Sequence, residues 1–236
     1  EGPRRGKTEM IISANQPFFA PFTGFFSKTC LSDTMVILDE VQFPRGSTWI
    51  TRNRFKNDRG TLWMAIPVWR KGLGLQKINE VMVCPEGNWR KKHLESLKIS
   101  YAHAPYFKEH VDFLTEALSG KFERLIDVNM SIIRYLQTHL MVDTPLIMLS
   151  DLGINSKGTV LLVDICRTLG ASGYLAQRSA QKYLDKGLFA NAGIPLHFFD
   201  PPAPVYPQLW GDFIRNLSAF DLLFNCGPKS NEILFS

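Results

Sequence analysis

The segment Asn15-Gln16-Pro17-x-x-x-Pro21-x-x-Gly24 follows a short apolar run, Met10 to Ala14, and leads into an apolar helical pattern. Two prolines four apart forbid a regular helix there, so the segment is a loop. At the C-terminal end of a parallel strand, such a loop brings side chains like Gln16, and helix N–H groups, to bear on an anion or polar head. The alternative is a rigid turn stapled by Pro17 and Pro21. A second cluster follows Met35 to Asp39, where Asp39, Gln42 and Arg45 gather a carboxylate, an amide and a guanidinium at one strand end. A carboxylate so placed can bind a ribose or amine, hold a metal, act as a base, or simply cap the next loop. In Thr51-Arg52-Asn53-Arg54, strand alternation puts Arg52 and Arg54 on one face and Asn53 on the other. Two guanidiniums on one face suit a phosphate or carboxylate, or else form a solvated face. Trp89-Arg90-Lys91-Lys92-His93 opens a helix, and the three cations around His93 favour its neutral, proton-accepting form. His93 is the preferred general base among the histidines, with Asp39 beside it as a second candidate. Cys226 reads as part of a helix stop, Asn225-Cys226-Gly227-Pro228, rather than as a nucleophile.

These residues need a scaffold, and the hydrophobic pattern supplies one. Strand, loop, helix and strand over residues 10–39 make a βαβ opening, which calls for a parallel sheet. Residues 48–55, 61–68 and 78–83 are short aromatic and β-branched runs separated by turn residues, and predict antiparallel strands. Helical periodicity follows over 88–101, 104–119 and 122–140. Strand and helix then alternate from Pro145 to Asp200, Pro201 to Pro207 is an extended connector, and two helices close the chain. The fold class is α/β: a Rossmann-like, mostly parallel sheet with an antiparallel and helical insertion. Residues 1–9 read as a leader without fixed structure, and 10–236 as a single α/β domain, with a split near residue 145 as the alternative.

At 236 residues with 45% hydrophobic and 21% charged residues, the chain can build a core without disulfides or metals. No apolar run approaches the roughly 20 residues of a membrane span. The four cysteines are widely spaced, with no zinc-ligand pattern, so reduced thiols, no metal site and a cytoplasmic location are expected. Charge is uneven: residues 1–92 hold 15 Lys and Arg against 8 Asp and Glu, a net +7, while the remainder holds 12 against 14, a net −2. That bias favours a phosphate-bearing ligand or nucleic acid. No G-x-G-x-x-G, Walker A, G-x-S-x-G or H-E-x-x-H occurs.

In order along the chain, Gln16-Pro17 with Pro21 and Gly24-Phe25-Phe26, Val36 to Asp39, Val41-Gln42-Phe43, Asn53-Arg54, Pro67-Val68, Trp89, Lys92-His93, Ala104 to Phe107, Leu217-Ser218 and Asp221 to Asn225 with Gly227 resemble the WbqC-like family of bacterial proteins. The resemblance implies an enzyme of O-antigen or specialised-metabolite biosynthesis that transfers an amino acid, glycine being the suggested one, to an amine or hydroxyl of a small substrate. His93 or Asp39 would be the base, and Gln16 and Asn53 would polarise the acyl oxygen. Arg52 and Arg54 would bind the phosphate of a nucleotide sugar, an activated acyl donor or tRNA, with Pro17, Gln42 and Asn225 completing the binding set. The cofactor stays open between an activated acyl donor and ATP. An adenylate-forming or nucleotidyl-transfer enzyme, and a non-enzymatic module binding tRNA or a carrier protein, are the alternatives. The chain departs from many members at Phe22, where Trp is frequent, and at Leu175-Ala176-Gln177, where a Ser-Gly pair is frequent.

Overall fold

The computed structural model describes residues 9–234, so all but the last residue of the expected leader lies outside the described residues. In chain order the elements are β1 (Ile11–Asn15), α1 (Thr23–Cys30), β2 (Thr34–Ile37), β3 (Arg52–Asn57), β4 (Gly60–Ala65), α2 (Trp89–Ser100), α3 (Val111–Ala117), α4 (Leu125–His139), β5 (Leu146–Met148), α5 (Gly158–Leu169), β6 (Gly173–Gln177), α6 (Lys186–Asn191), β7 (Leu196–Phe199), α7 (Ala219–Cys226) and α8 (Ser230–Leu234). They form two compact units. Of the described residues, unit one takes 9–15, 28–38 and 144–201, and unit two takes 16–27, 39–143 and 202–234. Because the chain passes back and forth, neither unit is a contiguous stretch.

Unit one is built on a five-stranded sheet of order β5-β2-β1-β6-β7, and every neighbouring pair is parallel. Parallel strands covered on both faces read as continuous apolar runs. Accordingly β2 is buried at all four positions, and Ile12, Ser13 and Ala14 of β1 are buried together. Ser13, the polar member of the three in β1, is satisfied by Ser32 Oγ at 2.7 Å. α5 ends where Gly170 takes φ 68°, a left-handed conformation that costs glycine little, with its N–H donating to Cys166 O and Arg167 O. α6, only six residues long, is too short to show a helical period in the sequence; Asp185 caps it by accepting from Gly187 N at 2.8 Å.

Unit two holds the antiparallel hairpin β3–β4, paired from Arg52↔Ala65 to Asn57↔Gly60, and a helical core around α4 and the almost wholly buried α7. The α/β expectation with its antiparallel and helical part is met. Three local expectations are corrected. Residues 78–83 are not a third strand: Ile78 N and Asn79 N donate to Val41 O and Asp39 O around a 3-10 turn, and only single bridges follow, Val68↔Val83 and Met82↔Arg124. The helix expected over 104–119 is a 3-10 turn, Phe107–His110, before α3. The helix expected after β6 is likewise 3-10, Arg178–Tyr183. At the end of α7, Gly227 has φ 52°, and a Cβ there would collide with the Tyr106 ring, so this position needs glycine twice over.

Candidate functional site

All nine residues singled out from the sequence fall in unit two. The proline loop is pinned from beneath by two buried amides. Asn129 Nδ2 donates to Pro17 O and Ile50 O, both at 2.8 Å, and Asn53 Nδ2 donates to Phe19 O at 3.0 Å and Ala20 O at 2.7 Å. Asn53 Oδ1 accepts from Arg54 N at 2.8 Å. Both amide protons of Asn53 are therefore spent, and no donor remains for an acyl oxygen. Its role is to hold the loop. Pro17 is buried and Gln16 half-buried at the start of that loop.

Arg52 and Arg54 lie on the opposite face of the hairpin from Asn53, as alternation requires. Their guanidiniums are not a free fork. Arg52 lies over the Trp63 ring at 4.5 Å and Arg54 over the Trp49 ring at 5.8 Å, while the two indoles stack at 5.7 Å. Arg54 Nη2 also donates to Arg215 O at 3.2 Å and Asn216 O at 3.0 Å. The result is a cation–indole–indole–cation surface in which Trp49 and Trp63 stay 43% and 47% exposed. His93 reaches the edge of the same hairpin: its Nε2 lies 2.8 Å from Ala65 O and 3.2 Å from Ala65 N, and Ala65 is the register partner of Arg52. Burial pulls the His93 pKa down, against the opposing pull of the Ala65 carbonyl. The neutral form expected from neighbouring cations is thus favoured by desolvation.

Asp39 is buried, with its Oδ2 3.5 Å from Asn79 Nδ2, and the chain from Asp39 to Phe43 runs beside 76–79. Gln42 is exposed there and bridges to Lys77, whose Nζ pairs with Glu40 at 2.7 Å. Asn225 is turned to its own helix, donating to Asp221 O at 2.7 Å. Burial pushes the Cys226 thiol up to about 11, away from the reactive thiolate form.

Two buried groups stand out that no pattern in the chain announced. In unit one, Lys28 in the last turn of α1 is only 5% exposed, and its Nζ donates to Ala14 O at 2.8 Å and Asn15 Oδ1 at 3.5 Å. No carboxylate is paired with it among the described ion pairs, and burial pulls its pKa down to about 8. It sits at the C-terminal end of β1, beside the point where the sheet order reverses between β1 and β6, which is where open α/β sheets bind ligands. In unit two, the wholly buried Asp221 accepts from Tyr101 Oη at 2.6 Å, and Tyr101 Oη in turn accepts from Lys56 N at 2.9 Å. Burial raises the pKa of both Asp221 and Tyr101. One lysine amid T-G-F-F-S-K-T-C carries no signal of burial. The only cue in the sequence is that its neighbours Phe25, Phe26 and Thr29 leave the helix without a clear polar face.

Among the described residues no three His, Cys, Asp or Glu side chains come together as a metal site, and no helix is long and apolar enough to cross a membrane. No solved structure matches the chain. The uncharacterized protein Rv1507c of Mycobacterium tuberculosis is 30% identical over 231 residues, covering 97% of each chain. The WbqC-like protein family matches residues 16–233, a span that takes in the pinned proline loop, the hairpin, His93 and α7, and the chain belongs to that family.

Proposed function

We propose that this protein is a cytoplasmic biosynthetic transferase that attaches an amino acid, glycine being the first to test, to an amino sugar or related small metabolite by acyl transfer. Membership of the WbqC-like family suggests the biosynthetic role. The observation that carries the chemistry is Lys28, a buried amine with pKa about 8 at the strand end of unit one. Acyl transfer to an amine forms a new C–N bond and breaks the bond from the acyl carbon to its leaving group. The attacking nitrogen must shed a proton on the way. A base with a pKa near the working pH does this best. With a pKa of about 8, the neutral fraction of Lys28 takes that proton and returns it to the leaving group, while Asn15 orients the amine through its side-chain oxygen. His93 is the rival base, since its pKa is also lowered. Asp39, buried like Lys28, is a third candidate.

The order of the parallel sheet also favours a second reading, an adenylate-forming enzyme, because the same strand ends accommodate nucleotides in many α/β folds. The test supplies labelled glycine as free amino acid with ATP, as a thioester and as glycyl-tRNA, together with amino-sugar acceptors, and looks for the amide product by mass spectrometry. Product that disappears in Lys28→Met but not in His93→Gln supports the Lys28 reading. Glycine-dependent exchange of pyrophosphate into ATP without an amide product would favour the adenylate-forming reading. Binding of tRNA with no turnover under any of these conditions would leave a binding module.

A further inference from the structure

In unit two, the segment from Phe43 to Gly46 faces the segment from Arg70 to Gln76 across a cavity of about 280 Å³. The two segments are tied at one end by Phe43 N donating to Gln76 O at 2.9 Å. Arg70 is held in place twice: Nη1 donates to Pro44 O at 2.9 Å, and its guanidinium lies 4.2 Å over the Phe43 ring. Arg45 lines the same cavity, and among the described residues no carboxylate does. Neither arginine has an ion pair among the described residues. Gly46 and Gly74, at φ 77° and 65°, also line the cavity, with nothing within 4 Å of where a Cβ would stand, so the backbone on both walls is left open to approach.

Two arginines lining one space with no counter-charge among the described residues favour an anion there, and Arg70 is half-buried, where a carboxylate or phosphate would offset its lost hydration. The space lies at the small end of ligand pockets, which run from about 300 Å³ upward, so it takes a head group rather than a whole cofactor. A carboxylate is satisfied by one planar fork, whereas a phosphoryl dianion offers enough oxygens to engage two. We propose that this cavity is a phosphoryl-binding site, taking the phosphate of a phosphomonoester or diphosphate between Arg45 and Arg70, with Leu75 at its exposed rim against the organic part of the ligand. This does not rest on the transferase reading, because it concerns different residues and a binding event without chemistry. It is separate from the anion site expected from Arg52 and Arg54, which do not line this cavity.

The test is a calorimetric titration of the full chain with inorganic phosphate, pyrophosphate and acetate at one low ionic strength, using wild type, Arg45→Gln, Arg70→Lys and the control Arg59→Gln. Arg59 is an exposed arginine of the β3–β4 turn that does not line the cavity. Phosphate or pyrophosphate should bind, acetate should bind at least about tenfold more weakly, and Arg45→Gln and Arg70→Lys should each cost about tenfold or more in affinity while Arg59→Gln costs nothing. Arg45 is exposed, so Arg45→Gln remains informative if Arg70→Lys loosens the fold. No heat from either phosphate up to about 10 mM would overturn the proposal. So would equal affinity in wild type and Arg45→Gln, an equal loss in Arg59→Gln, or acetate binding as well as phosphate.

Discussion

Asn53 Nδ2 donates to Ala20 O at 2.7 Å, and Ala20 is held at φ 42°, in the left-handed region that alanine rarely adopts. The amide thus stabilises a strained turn of the proline loop from the buried face of the hairpin. Removing it in Asn53→Ala leaves the carbonyls of Phe19 and Ala20 without their donor and should destabilise the protein by about 2–4 kcal/mol. Asn53→Asp, equal in shape but lacking donors, should cost at least as much. Urea unfolding followed by circular dichroism measures both. A loss in Asn53→Ala below about 0.5 kcal/mol would show that the loop needs no such clamp.

Lys28 sets a pH dependence whose sign can be worked out. Its pKa falls from 10.5 to about 8 on folding, so between those values the unfolded chain binds more protons than the folded one. Stability therefore rises with pH across that window, and the cost of burying the charge is fully present below about pH 8. That cost is of order 3 kcal/mol, offset in part by the hydrogen bond to Ala14 O. Lys28→Met should accordingly be more stable than wild type at neutral pH by about 1–3 kcal/mol, with the gain shrinking toward pH 10. Thermal melts of both proteins across this range decide it, and parallel pH profiles would mean that Lys28 carries no burial penalty.

Arg54 lies over Trp49 and donates to two carbonyls, so its substitution should be felt in stability. Arg54→Lys keeps the charge but cannot reproduce the planar fork, and a loss of about 1 kcal/mol is expected. Because both indoles are more than 40% exposed, the same variant should change tryptophan emission and its quenching by acrylamide. Unaltered melting and unaltered emission would argue that the contacts to Trp49, Arg215 and Asn216 do not persist in solution.

The parallel sheet was legible because its central strands, β1, β2 and β6, are mostly buried. But for Ser13, residues 10–14 and 35–38 are apolar without alternation, and with helical segments between such runs that pattern marks strands buried on both sides. Alternation also placed Arg52 and Arg54 correctly opposite Asn53, since the two-residue period of a strand is local geometry. What each of these side chains does was not legible. Asn53 has the composition of a ligand-binding amide, and only the fold brings Phe19 and Ala20, more than thirty positions away in the chain, to its two protons.

Local order alone determined the α/β class, the hairpin and the glycine stops of α5 and α7, because each depends on residues a few positions apart. The tertiary structure alone decided that the chain alternates between two units, that Lys28 is buried with no carboxylate paired to it among the described residues, and that Arg45 and Arg70 share a cavity while Arg52 and Arg54 lie on tryptophans. A charged residue's environment is the sum of groups distant in sequence. Whether a lysine or arginine meets water, an indole, a carbonyl or an empty cavity is settled only when those groups converge.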